Sequence, residues 1–255
     1  MATRYSPRIV TDGLVFCLDA ANDRCYTGNT STSFDLAEGR PLTLNTVPAQ
    51  IYTPNNPSLP ARAFYFANAG TKFITAADST DWDFRGEISW DFVACQENIT
   101  HRNSIVGQIE PLDPWEGLGL WTMSHDGNGQ LAWWGGNYDI STGYGWWDTG
   151  ISLGTNKWYY CAGTWASAAP THGTRKVYVR GVGDSSMTTA TEASMGSFNG
   201  GVSANTFRIG DNGTDAADAT KIIDGAIAIA RVYNRKLSDA EIDQNYIATK
   251  GRFGL

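Results

Sequence analysis

Residues 223–234 read IDGAIAIARVYN, and the chain continues RKLSDAEI through residue 242. In the first stretch the large residues Ile223, Ile227, Ile229 and Tyr233 alternate with Ala226, Ala228 and Ala230. Successive side chains of a strand point to opposite faces, so a period of two is its signature. The alternation predicts one bulky face and one face small enough for another layer to approach closely. The following residues change period. Ser238 and Glu241 form an S-x-x-E capping box, with Leu237 and Ile242 at the staple positions around it. Ile242 and Tyr246 then lie four apart, on one helix face. Gly251 is a natural stop. A helix is predicted over about residues 239–249, docked through Ile242 and Tyr246.

Working outward, the strand period recurs. In 87–95, EISWDFVAC, one face carries Ile88, Trp90, Phe92 and Ala94. In 157–165, KWYYCAGTW, both faces are apolar or aromatic, which predicts a central strand covered on both sides. Further strands are predicted at 13–19, 63–66, 72–75, 104–110, 118–124, 130–134, 144–150, 175–180 and 205–210. Asp126-Gly127-Asn128-Gly129 reads as a hairpin turn, since Gly and Asn tolerate positive φ. Segment 45–60 holds Pro48, Pro54, Pro57 and Pro60, and is predicted to be a long surface crossover. About a dozen short strands with close turns specify an all-β, two-sheet antiparallel sandwich with one short C-terminal helix. Nothing marks a second domain. The expectation is one unit over residues 1–255, with a core from about 10 to 236.

Composition narrows the function. Charged residues are 18% of the chain and the formal net charge is −7. No Lys/Arg run is present, which argues against nucleic acid and against an anionic membrane surface as partners. The start, MATRYSPRIVTDG, has no apolar signal core, and no stretch reaches the ~18 apolar residues of a membrane span. The expectation is a soluble chain made in the cytoplasm, with no membrane insertion. Cys17, Cys25, Cys95 and Cys161 include no C-x-x-C pair, so a zinc site is not expected. Buried free thiols are the expectation, although loop length also allows a Cys17–Cys25 disulfide.

Three segments resemble laminin-G-like domains of the concanavalin A-like superfamily. They are DGLVFCLDAAN at 12–22, NKWYYCAGTW at 156–165 followed by RKVYVRG at 175–181, and FRIG at 207–210 followed by DGAIAIARVYNRKLSDAEI at 224–242. The resemblance implies a jelly-roll sandwich of two curved antiparallel sheets. The ending NYIATKGRFGL at 245–255 is similar to the C-termini of laminin-G-like proteins of tailed bacteriophages, cyanophages among them. That similarity implies a virion protein, on a fibre, tail or head surface.

Some relatives of that superfamily cleave glycosides, which needs two carboxylates flanking the bond. The strand-borne E-x-D-x-x-E pattern is missing: only Glu241 has Asp at +2, and Tyr246 stands at +5, on the predicted helix. His101, His125 and His172 lie in polar, turn-like contexts, and no Ser sits in a G-x-S-x-G elbow. No enzyme activity is expected.

The candidate binding residues cluster in 115–147, which holds six of the ten tryptophans. Trp115, Trp133, Trp134, Tyr138, Tyr144, Trp146 and Trp147 are the candidate contacts for a glycan or a protein neighbour. Aromatic faces stack on the C–H faces of sugars. In a strand, Trp133 and Trp134 point to opposite faces, as do Trp146 and Trp147. One of each pair can fill the core; the other is left for an outer face, a groove or an interface. A second candidate is the acidic loop 211–224, where Asp211, Asp215 and Asp218 could hold Ca²⁺ at the sandwich rim, as relatives do. An ordinary solvated acidic loop is the simpler reading. The expected partners are other virion proteins, cell-surface glycans, or both, in an oligomeric or particle-assembled state.

Overall fold

The computed structural model describes residues 8–28, 31–46, 49–52, 61–66, 72–82, 87–98, 104–109, 117–121, 129–135, 146–166, 174–192, 206–211 and 223–255. In chain order the strands are β1 (Leu14–Asp19), β2 (Thr32–Phe34), β3 (Pro41–Asn45), β4 (Ala49–Tyr52), β5 (Ala61–Phe66), β6 (Phe73–Ala76), β7 (Glu87–Gln96) and β8 (Ser104–Ile109). They continue as β9 (Gly117–Trp121), β10 (Gln130–Gly135), β11 (Trp146–Ser152), β12 (Trp158–Ala166), β13 (Thr174–Gly181), β14 (Thr188–Glu192), β15 (Phe207–Ile209) and β16 (Gly225–Tyr233). Helix α1 (Asp239–Lys250) follows β16.

The strands form two sheets. The first runs β14-β13-β12-β7-β16-β5-β4, with β1 also paired to β16. The second runs β11-β10-β9-β8-β15-β6-β3-β2. Between them lies the main core. Trp90, Phe92, Cys161, Trp165 and Val177 face Leu42, Ile74, Val106, Trp133 and Phe207 from the other sheet. A second core lies on the outer face of the first sheet, under α1. There Val93, Tyr160, Ala162 and Ala226 meet Leu237, Ile242, Tyr246 and Phe253. Tyr160 and Tyr246 meet edge to face with centroids 5.5 Å apart, and Trp158 tilts onto Phe253 at 5.2 Å. This explains why β12 is apolar on both sides: it pairs with β7 and β13 and is covered above and below.

Two expectations change here. The face assignment in β16 fails midway. A register shift between Ile227 and Ile229 interrupts the β16–β7 ladder. One extra residue reverses the parity of everything after it. Ile223 and Ile227 therefore join Ala230 and Val232 in the core between the sheets. Ile229 and Tyr233 pass to the helix side with Ala226 and Ala228. The shift falls where β16 changes partner, from β5 at Gly225–Ile227 to β1 at Ile229–Tyr233. Second, the 45–60 segment is not wholly a crossover. Ala49–Tyr52 is an edge strand on β5. Pro48 and Pro54 flank those four residues without entering them, so the ladder keeps its N–H donors.

Helix α1 begins as predicted. Ser238 accepts from the Glu241 backbone N–H, and the Glu241 side chain reaches back to the Ser238 N–H at 2.8 Å. Its end differs: Gly251 stays right-handed at φ −63°. The chain turns on through Arg252 and Phe253, and the left-handed residue is Gly254, at φ 66°. That delay seats Phe253 against Trp158.

A polar network fixes α1 in place. Arg231 Nε donates to Asp91 Oδ1 at 2.6 Å, and its Nη2 to Thr249 Oγ1 at 3.0 Å. Asn245 Nδ2 donates to Asp91 at 2.8 Å and to the Tyr233 hydroxyl at 2.9 Å, while its Oδ1 accepts from Val10 N at 2.8 Å. Buried polar groups are tolerated when they are satisfied in this way. All four cysteines are buried, and none is in a disulfide.

Candidate functional site

The tryptophan-rich strands come together at one end of the sandwich. β10 and β11 are neighbours, with Trp133 opposite Trp147 and Trp134 opposite Trp146. Trp133 is a core residue, 1% exposed, and Trp147 is half-buried against the same core. Trp133 meets Trp90 of the facing sheet edge to face at 5.3 Å, and Trp90 stacks on Phe92. The Trp90 ring lies across Gly163 of β12, where a Cβ would come within 2.3 Å of the indole. Only glycine admits this approach.

Arg175 of β13 completes the cluster. Its side chain is 2% exposed, and its guanidinium sits 5.8 Å from the Trp133 ring and 5.4 Å from the Trp147 ring. Nη1 donates to the Trp133 carbonyl at 3.1 Å, and Nε to Glu192 of β14 at 2.7 Å. A planar cation suits two aromatic faces and a carboxylate at once. Burial pulls its pKa below the ordinary value, and Glu192 opposes the shift. Arg175 thus ties the two sheets together beside their edge strands, β14 and β11. The indole N–H groups of Trp90 and Trp133 are buried there without an acceptor among the described residues. Such donors call for an ordered water or a ligand oxygen. Chemically, the site offers the half-buried ring of Trp147 over a fixed cation, with the indole donors of Trp90 and Trp133 buried beneath.

Of the predicted contacts, the structure brings Trp133 and Trp147 together on the core side. Trp134 and Trp146 are joined through their backbones, and their side chains lie outside the described residues. So do Trp115, Tyr138 and Tyr144, and the histidines. Of the predicted Ca²⁺ ligands, Asp215 and Asp218 fall outside the described residues. Asp211 is buried, and its carboxylate pairs with Arg208 Nη1 at 2.8 Å. Arg208 in turn covers the Phe73 ring at 4.8 Å. Among the described residues no group of three His, Cys, Asp or Glu is placed to hold a metal ion. Sequence reading passed over Arg175, since an arginine on an alternating strand looks like a solvent-facing residue. The one available signal was its place on the inward parity shared with Val177 and Val179.

Two antiparallel sheets, a helix on one outer face and an aromatic cluster between their edges define a lectin-like sandwich. A laminin-G-type family model described as the concanavalin A-like lectin/glucanases superfamily matches residues 68–243, and the chain belongs to that superfamily. Solved structures agree on the fold. A Trypanosoma rangeli sialidase in complex with the inhibitor DANA superposes with a TM-score of 0.59 at 17% identity, over 97% of this chain and 34% of its own. The binding domain of botulinum neurotoxin serotype D gives 0.57 at 15% identity, over 94% and 52%. That of Paraclostridial Mosquitocidal Protein 1 gives 0.55 at 11%, over 96% and 55%. The chain spans about a third of the sialidase and about half of each toxin binding domain. No curated protein matches it. Among the described residues no helix is long and apolar enough to cross a membrane.

Proposed function

We propose that this chain is a non-catalytic adhesion module of a virion surface, which binds host-cell glycans at the aromatic end of its sandwich. The observation that carries the reading is the tryptophan ladder of β10 and β11, braced by Arg175. Trp133 is buried in the core, whereas Trp147 is only half-buried against it and keeps part of its ring at this edge. A partly exposed aromatic ring on a braced strand edge, Trp147 beside Arg175, is suited to stacking on a sugar ring. The superfamily is one of lectins as well as glucanases, and two of the similar folds are toxin binding domains. The virion part rests on the resemblance of residues 245–255 to phage proteins.

A glycan array with the purified chain tests this. Binding is expected, and Trp147→Ala should weaken it at least tenfold, about 1.4 kcal/mol. Recovery of the chain from intact virions by mass spectrometry tests the location.

One observation favours a second reading. Both sheets end at this same cluster in edge strands, β14 and β11. Unpaired edges accept a neighbour. In this reading the aromatic end packs on an adjoining virion subunit and no sugar is involved. An empty array, with these tryptophans buried in the assembled particle, would select it.

A further inference from the structure

A cavity of about 210 Å³ lies on the other side of the first sheet, between β1, β16 and the last turn of α1. It exists because of the register of an edge strand. Cys17 stands opposite Arg231, and Asp19 opposite Ile229. These residues share the face that α1 covers, and Ala248 and Thr249 of its last turn line the cavity with them. Ile9, Ile229 and Ala248 form an apolar wall; Asp19, Arg231 and Arg252 supply the polar groups. Arg231 and Thr249 are 2% exposed and mark the floor. Asp19 and Arg252 are partly exposed, at 20% and 37%, and mark the mouth.

The hydrogen-bonding capacity of this cavity is not used up. Arg231 spends Nε on Asp91 and Nη2 on Thr249, and its Nη1 has no acceptor among the described residues. Asp19 accepts from Arg252 Nη1 at 2.7 Å, from Arg252 Nη2 at 2.9 Å and from Ala21 N at 3.0 Å. A carboxylate has about four lone-pair sites, so one remains. The charges, by contrast, are already balanced: Asp91 with Arg231, and Asp19 with Arg252. A donor on the floor and an open acceptor position at the mouth of a neutral pocket suit hydroxyl groups, which accept and donate at once. An anion would meet no surplus of positive charge. The apolar wall suits a C–H face. The volume equals about seven waters, the scale of one sugar ring rather than two.

We infer that this cavity is a second binding site, which takes a single uncharged, polyhydroxylated ring such as a neutral hexopyranose. It does not depend on the aromatic end: no residue is shared.

The test is an NMR titration of the full chain with D-glucose, D-galactose and D-mannose, with D-glucuronate and inorganic phosphate as charged probes. At least one neutral hexose should give saturable, millimolar shifts in the Ile9 and Ile229 methyls and the Ala248 and Thr249 amides. Glucuronate should bind roughly tenfold more weakly, about 1.4 kcal/mol. Ala248→Phe, which fills the cavity, should abolish the shifts; Ala248→Leu is the milder fill should the first not fold. Trp147→Ala should leave them intact, which separates this site from the aromatic one. The inference is overturned if no neutral hexose gives saturable shifts, if they survive in the filled variant, or if glucuronate or phosphate binds more tightly.

Discussion

Asp91 of β7 and Arg231 of β16 meet at 2.6 Å on the outer face of the first sheet, with both side chains essentially removed from solvent. The pair stands at the centre of the contacts that hold α1 and the Val10 segment. Burial opposes the charge on Arg231, but the Asp91 carboxylate and neighbouring tyrosines outweigh it and keep its pKa above the ordinary value. Removing one partner strands the other charge in a dry site. Asp91→Ala should cost about 3–5 kcal/mol. Asp91→Leu with Arg231→Met should recover much of that loss. Urea unfolding of the two variants checks both statements. A double variant no better than the single one would refute the stranded-charge account.

Glu241 gives the helix an acid-sensitive latch. The Arg235 guanidinium holds its pKa down, helped by the Ser238 backbone N–H, to about 2. A depressed carboxylate contributes stability above its unfolded value, near 4.5, and loses it as pH falls through about 2. The side chain is 29% exposed, so solvent screens part of the effect. A contribution of about 1 kcal/mol is expected. Glu241→Gln should lose it at neutral pH and flatten the stability profile between these two values. Chemical denaturation at a series of pH values measures this.

Gly163→Ala should destabilise by about 1–3 kcal/mol. The added methyl would lie 2.3 Å from the Trp90 ring, which is itself packed on Phe92 and Trp133. The near-ultraviolet circular dichroism should change with it, because Trp90 and Trp133 would have to move apart. Unchanged tryptophan bands would show that the close approach is not maintained in solution.

Arg175→Lys keeps the charge but not the fork. It cannot span Glu192, the Trp133 carbonyl and two rings together. A loss of about 1–3 kcal/mol is expected, together with weaker glycan binding if the aromatic end is the site. Thermal unfolding and the array each report on one half of the claim.

The native thiols should be inert. Burial raises the pKa of Cys17, Cys25 and Cys161, so they stay protonated. Alkylation should modify none of the four cysteines in the folded chain and all of them in guanidinium. Two unreactive cysteines after unreduced unfolding would indicate a disulfide instead.

Much of the fold was legible because it repeats a local rule. Alternation in EISWDFVAC put Ile88, Trp90, Phe92 and Ala94 on one face, and all four lie in the core between the sheets. The S-x-x-E box located the start of α1 because a cap is made by residues three apart. The edge strand Ala49–Tyr52 was missed, since its flanking prolines outweighed a four-residue run. The aromatic site was half legible: the tryptophans could be counted, but not which of them would be used for packing. Trp133 went to the core because β13 sets Arg175, and β7 sets Trp90, against it.

By itself, then, the sequence determined the class of fold, two antiparallel sheets and a capped terminal helix, through periods and spacings that act over a few residues. The tertiary structure alone decided which residues do the work. A one-residue shift at Ala228 moved Ile229 and Tyr233 to the helix side. The pairing of β1 with β16 set Asp19 beside Ile229 and left a cavity where the helix ends. Arg175 became the brace of the aromatic end. Each depends on which strand lies next to which, and that is fixed by contacts between residues far apart in the chain, where no local pattern reaches.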